Sequence, residues 1–528
     1  MISPKRAALA AVALLSLALA AGPAAAAPAK ACADMLKLAD PGAGVVITSA
    51  REIPAAPPGT VQLGFLPTDK NAVAIPAHCR VEGVIDAHTG ADGKAYGLGF
   101  AIAMPDDWNG RFLMQGGGGL NGNLASPLGP VAAGDRPALT RGFAVVSTDG
   151  GHKGAVFDGS FYADQEAALD FAFKTVPTVA SAAKTLVVRY YGRPIAHAYF
   201  TGCSTGGREG MEAAERYPSL FDGIVTGAPA MRTGRSNLGL KWAAVAFNRI
   251  AAKDPATGKP IPGGAFSPAD RQLIVDGILK ACDELDGLKD GLISDVRGCR
   301  FDPAILLCKA AKADGCLSAA QVDALNTAFA GPATPGGRRI YAAHAYDTGI
   351  AASGGIPGFL VNSGAGPVAG GDLPVTMDPE ADAAAADADP MQQLVDTWAW
   401  TNLSGFYGHG GKQLFFHGVS DPWFSAFDTV DYYGRLGRDN GGADKVSQSS
   451  RLFLIPGMSH CAGGAALDRF DLLTALVDWV EAGKAPDGVT ATGSAFPGRS
   501  RPLCPYPQHA QYDGKGDPQA AESFSCRG

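Results

Sequence analysis

The chain has 528 residues, enough for two to four ordinary domains or for one large domain with a big insertion. Its 44 basic and 51 acidic side chains give a net charge of −7, which speaks against a nucleic-acid binder with its basic footprint. With 46% hydrophobic and 18% charged residues it can bury a core, and 70 glycines and 37 prolines without a Gly-X-Y period indicate many turns and long loops rather than collagen.

Residues 1–27 read as a signal peptide: Lys5 and Arg6 precede an apolar run to Ala21, and small residues continue to Ala27. The apolar part falls short of the roughly 20 residues a membrane span requires. No later segment is long and apolar enough to span, so the mature chain is expected to be secreted or periplasmic and free of the membrane. Ten cysteines in an exported chain are expected to form disulfides.

Short apolar runs followed by glycine-rich turns recur at Arg111–Gln115, 143–147, 198–201, 223–226, 413–416 and 451–455. Each has the length of a strand buried on both faces. Helix-like stretches cover 163–190, 208–217 and 467–480. This alternation predicts an α/β fold, a doubly wound and mostly parallel sheet. Between 229 and 403 it lapses into a stretch with four cysteines, many Gly, Pro and Asp residues, and an Ala/Asp-rich run at 380–390. That stretch is expected to be an insertion between consecutive strands, with the core formed by 28–228 and 404–528.

The chemistry falls at strand ends. Gly202, Ser204 and Gly206 form a G-x-S-x-G directly after a predicted strand and before a helix, where a sharp turn exposes the serine at a helix N-terminus. A serine nucleophile needs a base, and the base an orienting carboxylate, in the chain order Ser, Asp, His for this kind of sheet. Asp421 follows the strand at 413–416, and His460 lies in the loop after 451–455. Among nine histidines, His417 is the nearest rival, but it precedes the acid at the strand end; His152 is expected to order a nearby loop. Cys203 adjoins Ser204 and Cys461 adjoins His460, so a disulfide between them would hold nucleophile and base side by side.

These residues resemble the tannase and feruloyl esterase family, with its Cys-Ser, Asp and His-Cys in this order. The likeness extends to Trp108-Asn-Gly-Arg-Phe, the run Gly116 to Gly119, Ser-Thr-Asp-Gly-Gly-His152 and Gly410-Gly-Lys. The resemblance implies a secreted serine esterase on an α/β-hydrolase core, with a lid inserted before the acid and matching 229–403. It implies hydrolysis of feruloyl, hydroxycinnamoyl or galloyl esters through an acyl-enzyme on Ser204. The family also includes a hydrolase of mono(2-hydroxyethyl) terephthalate, so related synthetic aromatic esters are the alternative substrates. A binding protein that has lost activity is the remote alternative, and the intact Ser204, Asp421 and His460 count against it. The resemblance also implies five bridges: Cys203–Cys461, Cys32–Cys79, Cys282–Cys299, Cys308–Cys316 and Cys504–Cys526.

The amide after the nucleophile, at Thr205, is expected to supply one oxyanion donor, and Gly118 or Gly119 of the glycine loop the other. Hard oxygen donors crowd the loop from Cys282 to Asp295 and suit Ca²⁺, without EF-hand spacing. Carried over from the resemblance, the ligands are the side chains of Asp283, Asp286 and Asp290 and the carbonyls of Leu288 and Leu292, holding a structural ion; no organic cofactor is expected. Trp423 and Phe424 follow the acid, and Phe424 is a candidate to pack on an aromatic acyl group. Trp398, Trp400, Phe406 and Tyr407 are candidates for the lid's return to the core, or for plain packing there. Arg338 and Arg339 are candidates to grip a substrate carboxylate, with surface exposure as the plain alternative.

Overall fold

The protein is described here by a computed structural model covering residues 28–63, 69–353, 356–361 and 373–528; the signal-peptide expectation for 1–27 lies outside the described residues. Nine strands form the main sheet: β1 (Val45–Ile53), β2 (His78–Thr89), β3 (Ala95–Pro105), β4 (Arg111–Gln115), β5 (Ala144–Thr148), β6 (His197–Cys203), β7 (Gly223–Gly227), β8 (Lys412–Gly418) and β9 (Ser450–Ile455). Their order is β1-β2-β3-β5-β4-β6-β7-β8-β9. Pairing is antiparallel from β1 through β3 to β5 and parallel from there to β9.

All six strands expected from apolar runs are present. The sequence reading missed β1–β3, and their patterning explains why. β2 buries alternate residues and turns Arg80 and Glu82 outward, while β3 is interrupted by Gly97 and Gly99. Neither shows the continuous apolar run of a doubly covered parallel strand.

In the parallel part, successive side chains enter opposite cores. Phe112, Phe200 and Phe415 pack on one face with the helix Thr175–Tyr191. Leu113, Tyr199, Leu414 and Phe416 pack on the other with the helix Leu472–Ala482. The sheet is therefore covered on both sides, as a doubly wound fold requires.

Two expected helices differ in detail. The stretch 163–190 is broken: Asp164 caps Gln165–Leu169 through Glu166 N and Ala167 N, and a π-helical turn, Asp170–Lys174, precedes Thr175–Tyr191. The last helix begins at Leu472 rather than 467, because Asp471 accepts from Thr474 N and caps it, a bond of about 1 kcal/mol.

Residues 228–411 intervene between the paired strands β7 and β8. Among the described residues this insertion holds helices and turns and no strand. Its helices Pro268–Cys282 and Ala319–Ala330 both start with a capping box, Ser267 with Asp270 and Ser318 with Gln321. They pack with Thr233–Ile250 around Phe247, Phe266, Ile278 and Leu325, an apolar cluster lying wholly within the insertion. All five expected disulfides are formed. No helix of the described residues is long and apolar enough to cross a membrane.

Candidate active site

β6 ends at Cys203 and a helix, Thr205–Arg216, begins at the next residue but one, so Ser204 alone makes the turn. Its φ of 64° and ψ of −121° lie where a side-chain-bearing residue is strained by about 1–3 kcal/mol. Hydrogen bonds hold it there: Ser204 N donates to Gly227 O, and its carbonyl accepts from Arg208 N and Ala230 N, all at 3.0 Å. The flanking glycines are sterically required. A Cβ on Gly202 would lie 2.4 Å from Gly206 O, and one on Gly206 2.8 Å from Gly117 O. The serine thus stands at the positive end of a buried helix.

His460 Nδ1 lies 2.7 Å from Asp421 Oδ2. The other carboxylate oxygen accepts from Trp423 N at 2.8 Å and Phe424 N at 3.0 Å. His460 Nε2 is buried and has no hydrogen-bond partner among the described residues. His417 is also close, with Nε2 3.3 Å from Asp421 Oδ2. Both of its ring nitrogens are engaged, however: Nδ1 with Thr429 Oγ1 at 2.8 Å and Nε2 with Phe424 O at 3.0 Å. His460 therefore has the free nitrogen a base needs, and His417 braces the acid. Burial works to raise the Asp421 carboxyl, but the His460 and His417 rings outweigh it and hold the group well below the usual carboxylate range. The Cys203–Cys461 bond, with Cα atoms 6.0 Å apart, makes Ser204 and His460 neighbours.

The glycine loop after β4 offers its amides selectively. Gly116 N donates to Thr201 O at 2.9 Å, and Gly117 N to Glu209 Oε2 at 2.9 Å. The amides of Gly118, Gly119 and Thr205 donate to no protein group among the described residues. The loop is tied to the serine's own helix. Gly206 N donates to Gly117 O at 3.0 Å, the Thr205 hydroxyl donates to Gly119 O, and Glu209 grips Gly117 and, at 3.4 Å, Asn121. Burial pushes the Glu209 carboxyl up, while Arg208 and the Gly117 amide oppose that shift.

Aromatic rings border the base. Trp423 and Phe424 have centroids 4.7 and 5.2 Å from the His460 ring. Phe157 meets Trp423 edge-on at 6.2 Å, is 36% exposed, and lies 3.2 Å from where a Cβ on Gly119 would stand. Sequence reasoning missed Phe157, which sits in a loop without a motif.

Arg338 and Arg339 are exposed on the turn at 334–339, held by the Thr334 hydroxyl and main chain, and no hydrogen bond or ion pair joins them to the triad. Of the four lid-return aromatics, Trp398 stacks under the guanidinium groups of Arg232 and Arg435, Phe406 and Tyr407 pack in the core, and Trp400 is exposed. Their roles are packing and surface. His152 is buried and stacks on Phe161 at 3.7 Å, in line with a loop-ordering role.

On the acidic loop, Asp283 and Asp286 are buried and have no ion-pair partner among the described residues. Asp283 accepts from Asp290 N and Gly291 N, and Asp286 from Leu288 N and Ser294 N. The carbonyls of Leu288 and Leu292 accept no hydrogen bond there. Asp290 instead pairs with Arg501, and with Arg499 at 3.7 Å, both from the C-terminal tail. Among the described residues no three acid, His or Cys side chains are gathered as a metal site. The loop thus offers the Asp283 and Asp286 carboxylates, buried without a cation partner, and the unengaged Leu288 and Leu292 carbonyls, whereas the Asp290 carboxylate, also expected as a ligand, is taken by Arg501.

Residues 79–365 and 372–527 match the family model described as Tannase and feruloyl esterase. The chain belongs to the tannase and feruloyl esterase family. It is a carboxylic ester hydrolase on an α/β-hydrolase core. A mono(2-hydroxyethyl) terephthalate hydrolase from Piscinibacter sakaiensis is 39% identical over 524 residues, covering 87% of this chain and 86% of its own length. A probable feruloyl esterase B-2 from Aspergillus terreus is 31% identical, covering 80% and 82%. The crystal structure of feruloyl esterase B from Aspergillus oryzae matches with a TM-score of 0.76 at 26% identity, over 94% of this chain and 99% of that one.

Proposed function

We propose that this esterase hydrolyses esters of aromatic acids, of feruloyl, hydroxycinnamoyl or galloyl type, through an acyl-enzyme on Ser204. The observation that carries the mechanism is the His460–Asp421 bond together with a buried, unengaged His460 Nε2 beside the disulfide-tethered Ser204. His460 takes the Ser204 proton as Oγ attacks the ester carbonyl, and Asp421 holds the imidazole and stabilises its cation. Thr205 N and an amide of Gly118 or Gly119 receive the oxyanion, which in comparable sites contributes about 10²–10³ in rate. His460 then protonates the leaving alcohol, and a water activated by the same ring releases the acid.

The rings of Trp423, Phe424 and Phe157 around His460 support an aromatic substrate. The 39%-identical relative, named for mono(2-hydroxyethyl) terephthalate, supports a terephthalate monoester as second reading. Five disulfides support an exported protein acting outside the reducing cytosol. The acidic loop supports a structural Ca²⁺ held by Asp283, Asp286 and the Leu288 and Leu292 carbonyls, with Asp290 shared with Arg501. Such an ion neutralises two buried carboxylates far in sequence from the triad.

Values of kcat/KM on methyl ferulate, methyl gallate and mono(2-hydroxyethyl) terephthalate, with Ser204→Ala as control, test the reading. The first or second ester is expected to lead, and Ser204→Ala to lose about 10⁴–10⁶ in kcat. Retained turnover in Ser204→Ala overturns the mechanism, and a clear lead for the third ester replaces the substrate class. For the metal, elemental analysis should find calcium, and EGTA should lower Tm; calcium-free protein with an unmoved Tm removes it.

A further inference from the structure

The insertion runs beneath both catalytic loops at 341–349. Ser425 N, four residues past Asp421, donates to Tyr341 Oη at 3.0 Å, and the Ser425 hydroxyl donates to Ala343 O. Six residues on, Asp347 is 1% exposed. Its Oδ2 accepts from the Ser420 hydroxyl at 2.8 Å and from Gly457 N at 2.7 Å. Ser420 directly precedes Asp421, and Gly457 lies in the loop leading to His460. Gly349 N closes the bridge by donating to Ser420 Oγ at 3.0 Å. The fit is tight: a Cβ on Gly349 would lie 2.2 Å from Gly457 O.

This carboxylate is costly where it stands. It is buried, has no ion-pair partner among the described residues, and its Oδ1 has no hydrogen-bond partner. A carboxylate oxygen is acceptor-only and takes two donors at once, so one atom is bonded to the acid's loop and the base's loop together. Apart from the Asp421–His460 bond itself, the two loops are joined by the backbone bonds Val419 N to Ile455 O and Ser420 N to Met458 O, both 3.0 Å. Asp347 adds a second side-chain link, and it comes from neither β8 nor β9 but from the insertion.

We propose that Asp347 is a positioning residue for the esterase reaction: by bridging Ser420 and Gly457 it sets the separation of the acid and base loops, and so the Asp421–His460 bond. The insertion then takes part in fixing the geometry of the base. This inference rests on the triad assignment above, not on the choice of substrate.

The test compares wild type, Asp347→Ala, Asp347→Asn and Ser420→Ala on methyl ferulate and on p-nitrophenyl acetate, with the rate of Ser204 modification by a p-nitrophenyl phosphonate as a second readout. A misplaced base affects the chemical step, so Asp347→Ala should lose about 10²-fold in kcat with KM within about threefold. The phosphonate rate should fall in parallel. Asp347→Asn keeps one acceptor oxygen and should recover most of that loss, and Ser420→Ala, which cuts one arm, should lose about 5–10-fold. If Asp347→Ala does not fold, the Asn and Ser420 variants carry the test. The proposal is overturned if folded Asp347→Ala keeps kcat within twofold, if the loss is in KM alone, or if neither Asp347→Asn nor Ser420→Ala alters kcat or the phosphonate rate. Wild type active on acetate but not ferulate would reject the aromatic substrate and leave Asp347 testable; a Ser204 inert to phosphonate would reject the triad itself.

Discussion

Around Ser204, the residues that shape the turn and supply the grip are close by in the chain. Gly202, Gly206 and the serine's own helix shape the turn, and Thr205 and Glu209 of that helix reach the glycine loop, 86 and 92 positions away. Around Asp421 and His460 much of it is distant: Asp347, Tyr341 and Ala343 reach in from the insertion, and Cys203 reaches Cys461 across 258 positions. Local support leaves a motif, because a strained turn dictates glycines at fixed offsets. Distant support leaves none, because any segment that brings an acceptor to the right point will serve.

The two histidines on Asp421 give the sharpest test of this contrast. His460→Gln should lose about 10⁴-fold in kcat, whereas His417→Gln, losing a brace, should lose about tenfold. Equal losses in steady-state assays would mean that bracing and proton transfer are not separable here. Next in size, the paired change Cys203→Ser and Cys461→Ser should lower kcat by about 10²-fold and lower Tm, since only the fold would then keep base and nucleophile together. Unchanged kinetics would show that the distant support is redundant.

On the serine side, Glu209→Ala should cost about tenfold in kcat at constant KM, and Glu209→Gln, which keeps an acceptor for Gly117 N, less than threefold. pH adds a further check. A carboxyl held below its usual range stabilises the fold above its unfolded value, about 3.9, and loses that contribution only as pH falls through the lower folded value. Asp421 thus stays ionised across the working range, and Asp421→Asn should depress kcat/KM at every pH from about 5 to 9 rather than shift an acid limb. Smallest of all, Arg338→Ala and Arg339→Ala should change kcat/KM by less than twofold on all three esters; a selective loss on the terephthalate monoester would bring that exposed turn into the site.

The same contrast explains what could be read in advance. The parallel strands, the G-x-S-x-G turn and the paired cysteines stood out because buried strands are continuously apolar and the turn needs its glycines. β2 was hidden by its outward Arg80 and Glu82, and Phe157 by a loop with no pattern. The sequence points to Gly118 or Gly119 for the second oxyanion donor, but the reason Gly116 and Gly117 are ruled out, their bonds to Thr201 and Glu209, shows only in the fold. Asp347 was one acid among 51 acidic side chains, and its significance lies in two donors from elsewhere in the chain.

The Cys203–Cys461 bond also closes a covalent ring that contains the whole insertion. A protease that nicks an exposed turn there, such as the one at 334–339, would leave a single molecule, its halves joined at the point where chemistry is proposed to occur. Such a nicked enzyme should migrate intact on a non-reducing gel and fall into two pieces once reduced. The bridge is thus a form of damage tolerance: the backbone can be cut in the insertion without releasing either half of the core.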